Sequence, residues 1–122
     1  MVVKTSGMVL EHVEVANGIK YLKLEAPDIA RSARPGQFVQ VRCAAGCSPL
    51  LRKPFSIHEI DRANGTIGLL YEIKGHGTQM LSGSRAGESM EITGPSGNGF
   101  TLPGDPGEEC NALLVGGGLG IA

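Results

Sequence analysis

The side chains best suited to chemistry in this 122-residue chain stand in three short stretches. In Leu51-Arg52-Lys53-Pro54-Phe55-Ser56-Ile57, cationic, apolar and hydroxyl positions alternate along what reads as a strand. Pro54 favours a sheet edge or barrel mouth, because proline cannot donate to a central ladder. Seen alone, such a tetrapeptide is also what an exposed basic strand end beside a core serine looks like. The second stretch, Leu69-Leu70-Tyr71-Glu72-Ile73-Lys74-Gly75-His76-Gly77-Thr78, delivers a strand through glycines onto a helix start. Unpaired N–H groups and the positive end of the helix dipole suit such a place to an anion. His76 reads as a loop histidine beside that anion rather than as an acid or base, since no partner for it is identified. The third stretch is Gly94-Pro95-Ser96-Gly97-Asn98-Gly99-Phe100, followed by Leu114-Val115-Gly116-Gly117-Gly118-Leu119-Gly120-Ile121-Ala122. Its last part resembles the opening of a nucleotide-binding βαβ unit, with a buried-type strand over Asn111–Val115 running into a glycine loop and no helix after it.

These groups need a frame to hold them. Met8–Val15 and Ile19–Ala26 alternate apolar and polar residues around Asn17-Gly18, a strong hairpin signal. Pro27–Ser32 reads as a connection leading to Arg34-Pro35-Gly36-Gln37, after which Phe38–Arg42 alternates again. Leu51–Ile60 and Thr66–Ile73 predict two more strands joined across Asp61–Gly65, and Ser89–Thr93 predicts a last one after a turn at Arg85–Glu88. One short helix is expected over Thr78–Leu81, ending at Gly83. Six strands at turn-punctuated spacing with one helix predict an all-β, closed antiparallel barrel over residues 1–100 rather than an alternating βαβ domain. Glycine and proline then mark a linker at 101–110, and 111–122 opens a second, nucleotide-binding domain.

Bulk composition agrees with that frame and removes other classes. Nineteen glycines and seven prolines suit a turn-rich barrel better than a helical protein. A formal charge of −1 without a dense Lys/Arg cluster gives no drive toward nucleic acid or anionic lipid, and five aromatics make no base-stacking surface. The apolar runs are far short of the roughly 20 residues a bilayer requires, and Met1-Val2-Val3-Lys4 lacks a signal-peptide core, so a cytoplasmic protein is expected. Cys43, Cys47 and Cys110 have neither the count of a disulfide framework nor the spacing of a thiolate metal site.

The order and spacing of the three stretches, with Arg34-Pro35-Gly36-Gln37-Phe38 before them, resemble the electron-transfer subunits of NAD-linked dihydroorotate dehydrogenases, a branch of the ferredoxin-reductase-like flavoproteins. Gly97-Asn98-Gly99-Phe100 is the detail that points to this branch. The resemblance implies a six-stranded antiparallel Greek-key barrel that binds FAD. Such flavoproteins carry Arg-x-x-Ser where Lys53-Pro54-Phe55-Ser56 stands: the cation meets the FAD diphosphate, the residue before serine packs along the flavin, and serine hydrogen-bonds near the reactive nitrogen. Here lysine replaces the arginine, keeping the charge but losing its bidentate fork. Arg52 lies one step earlier, where strand alternation points it to the opposite face, so Lys53 is favoured and both are kept as candidates. By the same resemblance Gly75, Gly77 and Thr78 would hold the phosphates, while Leu70, Tyr71 and Glu72 would line the cofactor. No side chain is expected to be a catalytic acid or base, because the redox chemistry belongs to the cofactor.

The resemblance also implies what a full-length subunit would add: NAD(H) at the glycine loop, a [2Fe-2S] cluster on cysteines outside this sequence, and an FMN-containing catalytic partner that oxidises dihydroorotate. The chain would cover about the first half of such a subunit. By itself it is expected to oxidise NADH poorly, and its last apolar strand could dock on the barrel or pair with a second copy. A related ferredoxin-NADP reductase or sulfhydrogenase subunit shares the barrel, and a barrel that binds a partner or ligand without flavin is the alternative from another class.

Overall fold

The computed structural model describes residues 2–42, 52–101, 109 and 111–121. Six strands form the frame: β1 (Val3–Ala16), β2 (Ile19–Glu25), β3 (Phe38–Arg42), β4 (Arg52–Asp61), β5 (Thr66–Glu72) and β6 (Ser89–Ser96). Every pairing is antiparallel, and the strands close into a barrel in the order β1-β2-β5-β4-β3-β6. β3, β4 and β5 are successive neighbours, while β2 crosses over to β5 and β6 to β3, which is a Greek-key arrangement. Closure leaves no sheet edge in need of protection.

Alternation decides which side chains fill the barrel. Leu22 and Leu24 on β2, Val39 and Val41 on β3, Phe55 and Ile57 on β4, and Ile67, Leu69 and Tyr71 on β5 all belong to one buried cluster. They stand two residues apart in every strand, as a pleated surface with one dry face requires. The Asn17-Gly18 turn joins β1 to β2 as expected, with glycine taking the left-handed φ of 75° that a side chain would resist.

β1 departs from simple alternation. Val9 pairs with Leu24 and Glu11 with Lys23, so Leu10 is an extra residue and the strand bulges there. Past the bulge the faces exchange. His12, opposite the fully buried Leu22, turns inward, while Val13 and Val15 are left exposed on the outside with Met8 and Leu10.

Among the described residues two α-helices flank the barrel. The expected helix over Thr78–Leu81 is present as α2 (His76–Ser82), longer at both ends. Pro27–Ser32, expected as a connection, is instead a second helix, α1. Its proline occupies the first turn, where a missing N–H costs nothing, and Ile29 and Ala30 are buried against the barrel. Burial of one short apolar face overrides a weak local propensity.

A further expectation fails beyond the barrel. Residues 111–117 have no strand, and Leu113, Leu114 and Val115 are almost fully exposed. A parallel-type strand is held by neighbours on both sides, and among the described residues none pairs with this segment. Gly118–Ile121 forms a 3₁₀ turn that packs beside β5. Cys43, Cys47, Cys110, Leu51 and most of the expected linker lie outside the described residues.

Candidate functional site

The β4–β5 register brings the first two motifs together. Ile57 pairs with Leu69 across an antiparallel ladder, so residues just before Ile57 run alongside residues just after Leu69. There a shallow groove of about 230 Å³ opens, lined by Pro54, Phe55, Ser56, Leu70, Tyr71, Glu72, Lys74 and Leu119. Its floor is aromatic. The Phe55 and Tyr71 rings stand 5.5 Å apart at 66°, an edge-to-face pairing that fixes both rings. Ser56 and Pro54 are exposed on the opposite phase of β4 from Phe55.

Of the expected site residues, six therefore share one groove: Pro54, Phe55, Ser56, Leu70, Tyr71 and Glu72. The rest stand elsewhere. Arg52 bonds to the Glu91 carboxylate and reaches Thr93 Oγ1 at 3.2 Å, so its guanidinium is turned toward β6. Lys4 approaches the same Glu91 oxygen at 3.6 Å. Lys53 is exposed on the phase of β4 that carries Phe55 and Ile57. Its opposition to Arg52 is the alternation that the sequence implied.

The glycine-rich entry to α2 is built around Thr78. Its Oγ1 accepts the N–H groups of Lys74 at 2.8 Å and Gly75 at 3.0 Å, and its hydroxyl lies 3.1 Å from the Gly75 carbonyl. Threonine at the third helical position thus caps the chain entering the helix. The N–H groups of His76 and Gly77 lie in the first turn, where no helical carbonyl is available to them. Gly77 is buried, whereas Gly75 and His76 are exposed.

Three groove-associated residues were not anticipated. Lys74 stands at the rim with its ammonium 3.4 Å from Glu72 Oε2. It lies two residues past the strand, and a cation between a strand end and a glycine was the available signal. Leu119 reaches the groove from the 3₁₀ turn, which only the chain path could reveal. His12 stands behind the aromatic floor, its Nε2 2.8 Å from the Tyr71 hydroxyl and its Nδ1 2.8 Å from the Ser84 carbonyl oxygen. Burial is the main cause lowering its pKa below the ordinary histidine value, with Lys20 adding to the effect and the Ser84 bond opposing it.

Among the described residues no group of three or more His, Cys, Asp or Glu side chains could hold a metal. No helix among them is long and apolar enough to cross a membrane. The model of the oxidoreductase FAD-binding domain matches residues 7–100, from within β1 to just past β6. The chain belongs to the oxidoreductase FAD-binding domain family.

Relatives of this FAD-binding domain are named electron transfer subunits of dihydroorotate dehydrogenase B (NAD(+)). The one from Desulforamulus reducens is 46% identical over 108 residues, covering 88% of this chain and 40% of the relative. Its counterpart from Bacillus cereus strain B4264 is 38% identical over 122 residues, covering 99% and 46% respectively. The chain thus spans about half the length of the curated relatives it matches. Among solved structures, an NADH-dependent reduced ferredoxin-NADP oxidoreductase superimposes with a TM-score of 0.72 at 24% identity, over 78% of this chain and 34% of the other. The ferredoxin reductase of carbazole 1,9a-dioxygenase gives 0.70 at 22% identity, over 84% and 31%. At these identities the structural likeness speaks to the shared barrel.

Proposed function

We propose that this FAD-binding domain seats the flavin in the β4–β5 groove and serves as the flavin module of an electron-transfer subunit of the dihydroorotate dehydrogenase B kind. The observation that carries the reading is the convergence of Pro54–Ser56 and Leu70–Glu72, two separate motifs, on one apolar groove with polar groups at its rim. A flavin ring asks for that combination. Its faces are apolar, and its edge carries donors and acceptors that change with redox state. Phe55, Tyr71, Leu70 and Pro54 exclude water from the faces, and the Ser56 hydroxyl can donate to or accept from the edge.

The diphosphate calls for positive charge and N–H donors. Lys74 at the rim and exposed Lys53 are the cations suited to it, since Arg52 is committed to Glu91 and Thr93. Thr78 already satisfies the N–H groups of Lys74 and Gly75, leaving those of His76 and Gly77 to complete the anion contact beside Gly75–Thr78. Bound FAD would supply the conversion between two-electron and one-electron transfer, and the protein orients it and sets its surroundings.

In a full-length subunit, electrons would pass between NAD(H) and a [2Fe-2S] centre, and on to an FMN-containing catalytic subunit. The exposed Leu113, Leu114 and Val115 would then belong to the nucleotide domain rather than to a contact between copies. The purified chain is expected to be yellow and to release FAD on denaturation. Colourless protein that cannot be reconstituted with FAD would rule the reading out. These 122 residues alone are expected to oxidise NADH poorly, and brisk NADH turnover would contradict the assignment of NAD(H) to the rest of the subunit.

A further inference from the structure

His12 occupies a position that flavin contact alone does not explain. The Leu10 bulge turns it inward, and both ring nitrogens are engaged: Nδ1 with the Ser84 carbonyl oxygen and Nε2 with the Tyr71 hydroxyl, each at 2.8 Å. A carbonyl oxygen can only accept, so Nδ1 carries the proton. In the neutral ring Nε2 is then an acceptor, and Tyr71 donates to it. This fixes the tautomer and the direction of both bonds.

Both partners are distant from His12 in sequence, 72 residues away for Ser84 and 59 for Tyr71. Tyr71 is 2% exposed, lines the groove and packs edge-to-face on Phe55. Ser84 lies just past the Gly83 cap of α2, its N–H bonded to Leu81 O at 3.0 Å. A second tie runs beside the first, from Lys20 Nζ to Ser82 O at 3.1 Å. The loop that follows packs on the bulge itself, with Val9 N–H donating to Glu88 O and Gly87 N–H to Val9 O, each at 2.8 Å.

We propose that His12 is a positioning residue of the flavin groove: from behind the wall it fixes the Tyr71 hydroxyl, and with it the Tyr71–Phe55 pair, against the turn that leaves α2. The proposal rests on the groove being the flavin site. Held this way, the aromatic floor cannot tilt without breaking a bond to the α2 exit, so groove and helix keep one geometry. Protonation of His12 would reverse the bond to Tyr71, because Nε2 would become a donor and could no longer accept the phenol proton. Lys20 on β2 and Tyr71 on β5 face the ring. Glu14 lies two residues along β1 with its carboxylate 3.4 Å from the Gly18 N–H, and Arg85 and Glu88 stand in the loop over the bulge. FAD affinity should therefore weaken as pH falls toward the lowered value at which His12 takes up its proton in the folded chain, below the ordinary histidine value of about 6.5.

Two readouts test this, one of them independent of flavin. In the chain labelled with ¹⁵N-histidine, His12 should show the Nδ1–H tautomer and titrate below the ordinary histidine value of about 6.5, and Tyr71→Phe should move its signals. Fluorescence titration should show FAD binding weakened about three- to tenfold by Tyr71→Phe and by His12→Asn, whose amide can reach Ser84 but not Tyr71. The double variant should be no worse than either single one, and both singles should lose the pH dependence. Circular dichroism checks that each variant is folded, and Tyr71→Phe keeps the ring in place if His12→Asn does not fold. A His12 signal of the opposite tautomer, or one unmoved by Tyr71→Phe, overturns the proposal whatever the flavin does. So do additive losses or unchanged affinities. A wild-type chain with the coupled histidine signal that binds no FAD identifies the failure as that of the flavin reading, and the positioning role falls with it.

Discussion

The two helices are nearly equal in length, six and seven residues, and are held differently. α1 is anchored mainly by carbon, with one polar bond at its exit from Arg62 to the Ala33 carbonyl oxygen. Ile29, Ala30 and the following Ala33 are fully buried beside Ala26, and no side-chain cap closes its start. α2 buries Leu81 and Gly77 but is tied at both ends by polar bonds, from Thr78 at its entry and from Lys20 and His12 at its exit. α1 adjoins the start of β5, where Ala26 N–H meets Gly65 O, and α2 leaves the strand's other end, beside the groove. The end that only has to be closed is packed, whereas the end proposed to receive a ligand is fastened by separable bonds. Packing gives cooperative stability; polar ties of about 1 kcal/mol each can be adjusted one at a time.

The largest expected effect comes from removing the carbon anchor. Ile29→Ala should cost about 2–5 kcal/mol of global stability in urea unfolding, leaving the FAD affinity of the folded chain unchanged. A cost below about 1 kcal/mol would mean α1 is not a stopper. Thr78→Ala should cost about 1 kcal/mol, and it should do so locally. Hydrogen exchange at Lys74–Ser82 should quicken while α1 keeps its protection. Equal quickening in both helices would erase the contrast between them.

Acid should act on the α2 end as well. Because burial lowers the His12 pKa, the unfolded chain binds the proton more readily. Its contribution to stability is complete above the ordinary histidine value, about 6.5, and is lost as pH falls below it toward the lowered folded value. The stability gap between the wild-type chain and His12→Asn should therefore shrink from about pH 6.5 downward, and a gap independent of pH would count against a neutral buried ring. The smallest effect on stability, within about 0.5 kcal/mol, is expected for Ser56→Ala on the exposed side of β4. That variant should still alter the visible spectrum of bound FAD, and an unchanged spectrum would remove Ser56 from the groove chemistry.

These contrasts also mark what the sequence could disclose. β2 and β3 were legible almost to the residue because each has one dry face and a two-residue period, and β5 was legible from its apolar run between turns, its first four residues all being buried. Pro54–Ser56 and Leu70–Glu72 were legible as motifs, but their meeting depends on the β4–β5 register, a long-range property of the closed barrel. α1 was missed for a local reason. Six residues hold too little helical periodicity, and Pro27 looks like a breaker although the first turn suits it. His12 was hidden by the bulge, since unbroken alternation from Val9 would put Val13 and Val15 inside and His12 outside. Asn111–Val115 has the composition of a buried strand without strands to pair with among the described residues, and composition alone does not make a sheet.

β1 also ties the groove to residue count. Val9 and His12 stand three residues apart, so a strand of unbroken rhythm would put one of them outside; the extra residue at Leu10 lets both face inward. Straightening the strand at its present length would draw Val13 and Val15 into the oily interior and expel the imidazole. Such a chain would bury more carbon and still lose the pin behind its aromatic floor. Removing one residue between Val9 and His12 would instead keep the imidazole inside on a plain ladder, because an even spacing needs no bulge.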